Sequence, residues 1–398
     1  MSEKIKKILK WLGAILALLV VAGFVFGPAL VEKFMNRTLA GAVQQPSERA
    51  VKLHRTLLVA DLHADSLLWG RDLLERGTRG HVDVPRLIEG NVAIQAFTIV
   101  TKVPRGLNIE RNTGDTDMIA YQVRLQLRPP RTWSSLTERA FDQAARLREF
   151  AEKSEGKFVV IRSRADLAKY LERRERLSAP QRLTEAGITA GFLGIEGAHA
   201  LDGELDNLDR LFDAGIRMMA PTHFFDNDIG GSAHGVAKGG LTEKGKEWVR
   251  RMEAKNMIVD LAHASPKTFD DVMALAARPV VISHTGVKGT CNNTRNLSDP
   301  QIRAVARTGG VIGIGYWETA VCGTDARAIA RAVRYAANLV GAQHLALGSD
   351  YDGAITAPFD TSGLIAITEA LLAEKFSEAE IRMIMGENIL RVLKGTLP

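Results

Sequence analysis

The stretch LLVADLHADSLLWG, residues 57–70, ends an apolar run with Asp61, His63 and Asp65 on alternate positions. A strand turns alternate side chains to one face, so these three would point the same way. Imidazole and carboxylate groups gathered like this are the donors of a divalent-metal site. A plainer reading is a helix start, with Asp65 or Ser66 capping the run that follows. The motif alone does not choose between them. Similar endings recur downstream: LGIEGAHA supplies Glu196, MMAPTHFF supplies His223, MIVDLAHAS supplies His263, VVISHTG supplies His284, and LALGSDYDG supplies Asp350 and Asp352. Four of the nine histidines close an apolar run in this manner. One such histidine is ordinarily a hydrogen-bonded core residue. Four beside three carboxylates on one rim would be costly to bury unless something paired them, and metal ions do that. The donor set contains no thiolate, which suits zinc or a similar divalent ion. The count suggests two ions, with His63 and Asp65 on one, His263 and His284 on the other, and Glu196 between them. Two ions about 3.5–4 Å apart would share a hydroxide and activate it near neutral pH, which is the chemistry of hydrolysis.

Such a rim needs strands that end together. Nine short apolar runs alternate with longer helical patterns: Leu57–Asp61, Val92–Val100, Phe158–Ile161, Ala190–Ile195, Ile216–Ala220, Met257–Leu261, Val280–Ser283, Val311–Tyr316 and Leu345–Gly348. Near-continuous apolar and β-branched runs suggest parallel strands buried on both faces. Helical segments such as Glu243–Lys255, Pro266–Ala277 and Thr324–Val340 lie between most of them. Repeated strand–helix units favour a closed (β/α)8 barrel or an open doubly wound sheet. No Gly-rich phosphate fingerprint follows the first run and there is no Walker pattern, which argues against a nucleotide-binding sheet. Barrel sites gather at the C-terminal ends of the strands, where these polar residues fall. Eight of the nine runs end in a polar or aromatic signature. Phe158–Ile161 ends only in Arg and Ser before a helix start, so it is expected to be peripheral. The predicted fold is an α/β, TIM-like (β/α)8 barrel. A helical insertion spans Thr101–Lys157 and contains a helix near Ser135–Lys153.

The chain of 398 residues has room for a large barrel plus extras. With 46% hydrophobic and 25% charged residues, its composition is that of a globular protein. Of the net charge of +6, half comes from Lys4, Lys6, Lys7 and Lys10 against Glu3. The remainder is scattered among acids on helical stretches, a solvated face rather than a nucleic-acid footprint. Behind the lysines, Trp11–Val31 carries no charge. Its 21 residues would make roughly 30 Å of helix, the thickness of the hydrocarbon core. A signal peptide has a shorter apolar region with a small-residue cleavage site close behind. Here the nearest such site, around residues 40–42, lies beyond Glu32, Lys33 and Arg37. An uncleaved single-pass anchor in the inner membrane is therefore expected, with the lysine end cytoplasmic and the rest periplasmic or extracytoplasmic. This divides the chain into a basic tail (1–10), an anchor (11–31), a linker (32–50) and a catalytic barrel (51–398). Cys291 and Cys322 each follow a barrel run, the sixth and the seventh. Their loops should be neighbours, and a disulfide across the rim is expected.

From about Leu57 to the C-terminus, the motifs DLHAD, IEGAH, PTH, VDLAH, VISHT, TRNLSD and GSDYDG occur in an order that resembles the membrane dipeptidase (renal dipeptidase) family of zinc metallopeptidases, within the amidohydrolase-like barrels. The resemblance implies that His63, Asp65 and Glu196 bind one zinc and that Glu196, His263 and His284 bind the other. It implies that His223 contacts substrate near the scissile carbonyl and helps stabilise the oxyanion, that Arg295 takes the substrate carboxylate, and that Asp350 handles the proton. A guanidinium suits that role because it grips a carboxylate with two parallel hydrogen bonds; without the family context, a surface salt bridge would be the better reading of Arg295. The implied reaction is zinc-dependent hydrolysis of dipeptides, with a D-residue on the C-terminal side often accepted. A related amide or lactone hydrolase acting on N-acyl amino acids with the same two ions is the alternative. Dipeptides and the membrane are the expected partners, nucleic acid is not, and a homodimer stays open. The first motif reads HAD where animal members have HND, which keeps both ligands. The loop FFDNDIGGSAHGVAKGG after His223 also departs from them, so side-chain preference is expected to be this chain's own. His199 and His234 lie near these motifs and are expected to be bystanders.

Overall fold

The computed structural model describes residues 2–39 and 45–398. All nine apolar runs form parallel strands of one sheet. Eight make the barrel: β1 (Val59–Ala64), β2 (Val92–Ile99), β3 (Thr189–Ile195), β4 (Ile216–Met219), β5 (Ile258–Val259), β6 (Val281–Thr285), β7 (Val311–Ile314) and β8 (Leu345–Leu347). Each pairs with its neighbour in sequence, and β8 returns to β1 through Leu347 and Asp61. Between β5 and β6 the circle is completed by the bridge from Asp260 to Val281, where the Leu261 N–H donates to the Val281 carbonyl at 2.8 Å. The result is a curled parallel (β/α)8 barrel. Phe158–Val160 pairs with Thr189–Gly191 off this path, so the demoted run is peripheral.

Every residue of β1, β2 and β3 is buried, as strands covered on both faces must be. Close approach on the far side depends on missing side chains. A Cβ on Gly313 or Gly348 would stand 2.2 or 2.0 Å from the Ser283 carbonyl oxygen, so only glycine lets β7 and β8 lie against β6 there. Helices near the expected places join the strands, including Leu136–Lys153, Glu243–Ala254, Pro266–Leu275 and Ala326–Val340. Several start on a side-chain cap; Ser135, Thr242, Ser265 and Asp325 each accept a backbone N–H of the first turn.

The N-terminal helix, Glu3–Met35, is longer than the uncharged run. It is long and apolar enough to cross a membrane and is exposed over most of its length. Glu32, in its last turns, is the exception. Glu32 is buried and pairs with Arg71 and Arg79, the latter at 2.7 Å. Asn36 Oδ1 accepts the Ala354 N–H at 2.8 Å, and Arg37–Thr38 adds a parallel strand to Thr356–Ala357. Residues 32–38 of the expected linker are thus helix and strand docked on the barrel. Ser47 caps a helix, Glu48–Thr56, that overlaps its far end, and residues 40–44 lie outside the described residues. The physical reason is that Glu32 has two guanidinium partners far away in sequence, which local composition does not reveal.

Cys291 and Cys322 are bridged, as their places after β6 and β7 suggested. The sequence separation of 31 corresponds to about 3 to 4 kcal/mol in the chain-entropy account. The Cys291→Ser, Cys322→Ser protein is therefore expected to lose roughly that much stability. Chemical denaturation compared with the parent measures it, and an unchanged midpoint would show that the bridge constrains nothing.

Candidate metal centre

Six strand ends bring the predicted donors to one rim. Glu196, just past β3, stands at the centre. Its Oε1 lies 2.8 Å from His263 Nε2, 3.3 Å from His284 Nε2 and 3.6 Å from His63 Nε2. Its Oε2 lies 3.0 Å from His223 Nε2. His63 Nε2 is 3.4 Å from Asp65 Oδ1 and 3.9 Å from Asp350 Oδ1. Three overlapping donor groups result: His63, Glu196 and His284; Glu196, His223 and His263; and His63, Asp65 and Asp350. These divide the same side chains somewhat differently from the expected ligand sets, and they draw His223 and Asp350 toward the donors. His199 and His234 belong to no such group among the described residues.

Not every polar residue of the opening motif turns to this cluster. Asp61 accepts the His63 N–H at 3.0 Å, the Gln95 side-chain amide at 3.1 Å, and both the Ser349 N–H and hydroxyl at 3.0 Å. It ties β1 to β2 and to the end of β8, which fixes where His63 and Asp350 stand. The helix-start reading is half right. Asp65 does precede a short 3-10 turn, Ser66–Leu68, but its side chain makes no cap. Instead it accepts the Thr98 hydroxyl at 2.6 Å. Asp352 also faces away from the donors. Burial would raise its pKa, yet Arg71 and the His81 ring hold the carboxyl well below the usual range.

The residues fit a metal on physical grounds. His263 Nε2 and His284 Nε2 face each other at 3.0 Å, and His63 Nε2 is buried with no hydrogen-bond partner among the described residues. One hydroxyl sets the tautomers of two of these rings. Ser283 Oγ lies 3.1 Å from His63 Nδ1 and 2.9 Å from His284 Nδ1, and the Ser283 backbone N–H donates to the buried carboxyl of Asp260 at 2.8 Å. The two lone pairs of this oxygen can accept an Nδ1–H from each ring. Both then carry their proton on Nδ1 and turn a bare Nε2 lone pair to the cluster. Lone pairs converging on buried carboxylates call for a shared cation. The electrostatics of the cluster agree. Burial would lower the His63 pKa, but Asp65 and Glu196 more than reverse this and hold it up to about 10. His263 and His284 are pushed well below their ordinary value, chiefly by burial. Ser283→Ala should keep the fold and weaken metal binding by about 10- to 100-fold, read by competition with a chelating dye. Parent-like affinity would mean that the tautomers are set elsewhere.

Arg295 is buried, not on the surface. Its Nη2 donates to the His284 carbonyl at 2.8 Å and lies 3.4 Å from His263 Nε2, with the guanidinium 5.6 Å from the Trp317 ring centre. The segment that carries it is tied down by Asn296, whose amide donates to the carbonyls of Cys291 and Ala320 at 2.7 and 2.9 Å. His263 and Asp350 hold φ of +64° and +61°, in the left-handed region that non-glycine residues seldom occupy. Burial, then the charges of Asp65 and Glu196, push the Asp350 carboxyl well above its ordinary pKa against His63 and Arg295. The loop after His223 is built round Asp226, which accepts the N–H groups of Ser232, Val236 and Ala237 at 2.7–2.8 Å. Thr98, Ser283 and Trp317 are site residues that the motifs did not single out. For the first two the available signal was a hydroxyl within a fully buried strand, beside Gln95 in β2 and beside His284 and Thr285 in β6.

Comparison with known proteins places these observations in context. The family described as membrane dipeptidase (peptidase family M19) matches residues 47–396. A Klebsiella pneumoniae protein described only as uncharacterized, in the pqqA 5' region, is 30% identical over 271 residues, 64% of this chain and 95% of its own. Among solved structures, the probable dipeptidase PvdM from Pseudomonas aeruginosa gives a TM-score of 0.71 at 18% identity, covering 88% of this chain and 98% of that one. A metallo peptidase from Rhodobacter sphaeroides, solved with a phosphinate mimic of the dipeptide L-Ala-D-Ala, gives 0.65 at 23% identity over 86% of this chain and 99% of that one. At these identities the structural likenesses show the fold.

Proposed function

This chain belongs to the membrane dipeptidase family of metallopeptidases, and from that premise we propose that it hydrolyses dipeptides with two zinc ions held on the rim of its barrel. The chain is a peptide hydrolase, and its family depends on metal. In the proposed arrangement His63, Asp65 and Glu196 hold one ion, and Glu196, His263 and His284 hold the other. When bound, the ions would supply an activated water and a Lewis acid for the scissile carbonyl. The observation that carries the reading is the Glu196 carboxylate with imidazole nitrogens on both of its oxygens, between 2.8 and 3.6 Å.

The remaining roles belong to the protein's own groups. Arg295, buried with its guanidinium 5.6 Å from the Trp317 ring centre, grips the free C-terminal carboxylate of the substrate. That contact favours a dipeptide, because the carboxylate then lies one residue past the bond to be cut. His223 stands on the opposite oxygen of Glu196 from His263 and donates to the carbonyl oxygen as it gains charge. Asp350 takes the proton from the attacking water and hands it to the leaving amine. A D-residue on the C-terminal side is part of the proposal, prompted by the family resemblance and by the L-Ala-D-Ala mimic seen in the Rhodobacter protein. The N-terminal helix is proposed to anchor the enzyme with its barrel outside the cytoplasm. The lysines before it and the Cys291–Cys322 bridge support this placement. Metal analysis of the full chain in detergent, together with turnover on a library of L,L and L,D dipeptides, tests the reading. Two zinc ions per chain and dipeptide turnover that stops on chelation are expected. Preference for N-acyl amino acids or lactones over every dipeptide would overturn it.

A further inference from the structure

The helical insertion between β2 and β3 carries a surface that neither the barrel nor the chemistry uses. Residues 118–133, MIAYQVRLQLRPPRTW, contain three arginines and no acidic residue. Within them lies the short helix Ile119–Leu125. Ile119 and Val123 are buried against Val100, so the opposite side of this helix faces out. Exposed there or just beyond are Met118, Tyr121, Leu127 and Trp133, with relative exposures of 41, 68, 71 and 39%. Four large apolar side chains left in water within 16 residues are an interaction surface without a visible partner.

Its neighbour identifies the partner. Leu125 packs against the N-terminal helix, its side-chain carbons 3.4–3.8 Å from where a Cβ on Gly27 would stand. Leu125, Tyr121 and Met118 are spaced by four and three residues, so they share one helix face. Gly27 lies four residues before Val31, the last residue of the uncharged run, and at 1.5 Å per residue that is about 6 Å inside the apolar segment. A membrane that accommodates that segment therefore reaches the level of this face. Tyrosine and tryptophan at that depth are the side chains that settle at a bilayer's headgroup level. Arg124, whose guanidinium lies 5.5 Å from the Trp133 ring centre, would extend its charge to the phosphates. Arg128 and Arg131 are paired with Asp142 and Glu138.

We infer that Met118, Tyr121, Leu127 and Trp133 form a second membrane contact, which sits in the headgroup layer of the bilayer that the N-terminal helix crosses. The inference rests on the anchor reading proposed above and goes beyond it. It makes the catalytic domain a body resting on the membrane by its insertion, not one swinging from a tether. The insertion follows the C-terminal end of β2, and Arg71, which holds Glu32, also pairs with Asp352 just past β8. The rim with the metal donors is therefore the end of the barrel turned toward the lipid.

The test uses the full chain carrying Trp11→Phe, reconstituted in vesicles with and without lipids brominated near the headgroup. Adding Trp133→Phe should remove most of the bromolipid quenching of tryptophan fluorescence. Adding Tyr121→Trp to that protein should restore it. Vesicle flotation after an alkaline carbonate wash separates the two readings. Protein that floats but shows quenching unaffected by Trp133→Phe and not raised by Tyr121→Trp overturns this inference alone. Protein that fails to float overturns the anchor and this contact together.

Discussion

Asp350→Asn is expected to retain its full complement of metal while kcat falls by about 10²- to 10⁴-fold, the usual contribution of a general acid–base group. The carboxylate stands 3.9 Å from His63 Nε2, on the edge of the donor cluster, and asparagine keeps its shape but cannot take a proton. The position also separates chemistry from backbone geometry. Asp350 has φ of +61°, and asparagine tolerates that region as readily as aspartate. If the residue served only the turn in SDYDG, the variant would work at nearly the parent rate. Turnover within about threefold of the parent would remove Asp350 from the proton pathway. Metal content measured on the same sample shows whether the loss is chemical or structural.

Glu196→Gln should do more damage and of a different kind. The carboxylate is the common neighbour of His63, His223, His263 and His284, and His223, His63 and His263 hold it well below its ordinary pKa despite burial. An amide of the same shape removes one negative charge from the middle of the cluster and brings an N–H where an acceptor is needed. Metal affinity should fall by more than the roughly 100-fold that marks loss of an outer hydrogen-bonding residue, and activity should vanish with it. Restoring activity only at high added zinc would support the assignment. A variant that purifies with the parent's metal content and turns over normally would refute the bridging role. His263→Ala provides the intermediate case, in which one donor nitrogen is lost while Glu196 stays.

Much of this arrangement could be read from local pattern, for a physical reason. Strands buried on both faces must be almost wholly apolar, so a polar residue that closes such a run stands out, as His263 does after MIVDLA and His284 after VVIS. The peripheral place of Phe158–Val160 was legible because its run ends without such a residue. Contacts between distant parts of the chain were not legible. Glu32 looked like the first polar residue of a linker, and its partners Arg71 and Arg79 come about 40 and 47 residues later. Ser283 looked like part of a strand, because its hydrogen bonds to the rings on β1 and β6 exist only once the barrel closes. Asp61 was grouped with His63 and Asp65 by spacing. Only the neighbouring strands show that its oxygens are occupied by Gln95 and Ser349.

The ion pairs of Glu32 also decide where this protein can be cut. A cut that leaves a fragment beginning at Arg37 severs more than the anchor from a barrel. It would remove the carboxylate that faces Arg71 and Arg79 while leaving Arg71, buried and still paired with Asp352, with one less counter-charge. Loss of one partner from a buried ionic group is destabilising, and here the disturbance lies two residues from Asp350. Soluble versions that start a turn before Glu32 and keep Asn36 and the Arg37–Thr38 strand would preserve that corner of the rim, so the catalytic part of this chain begins inside its N-terminal helix.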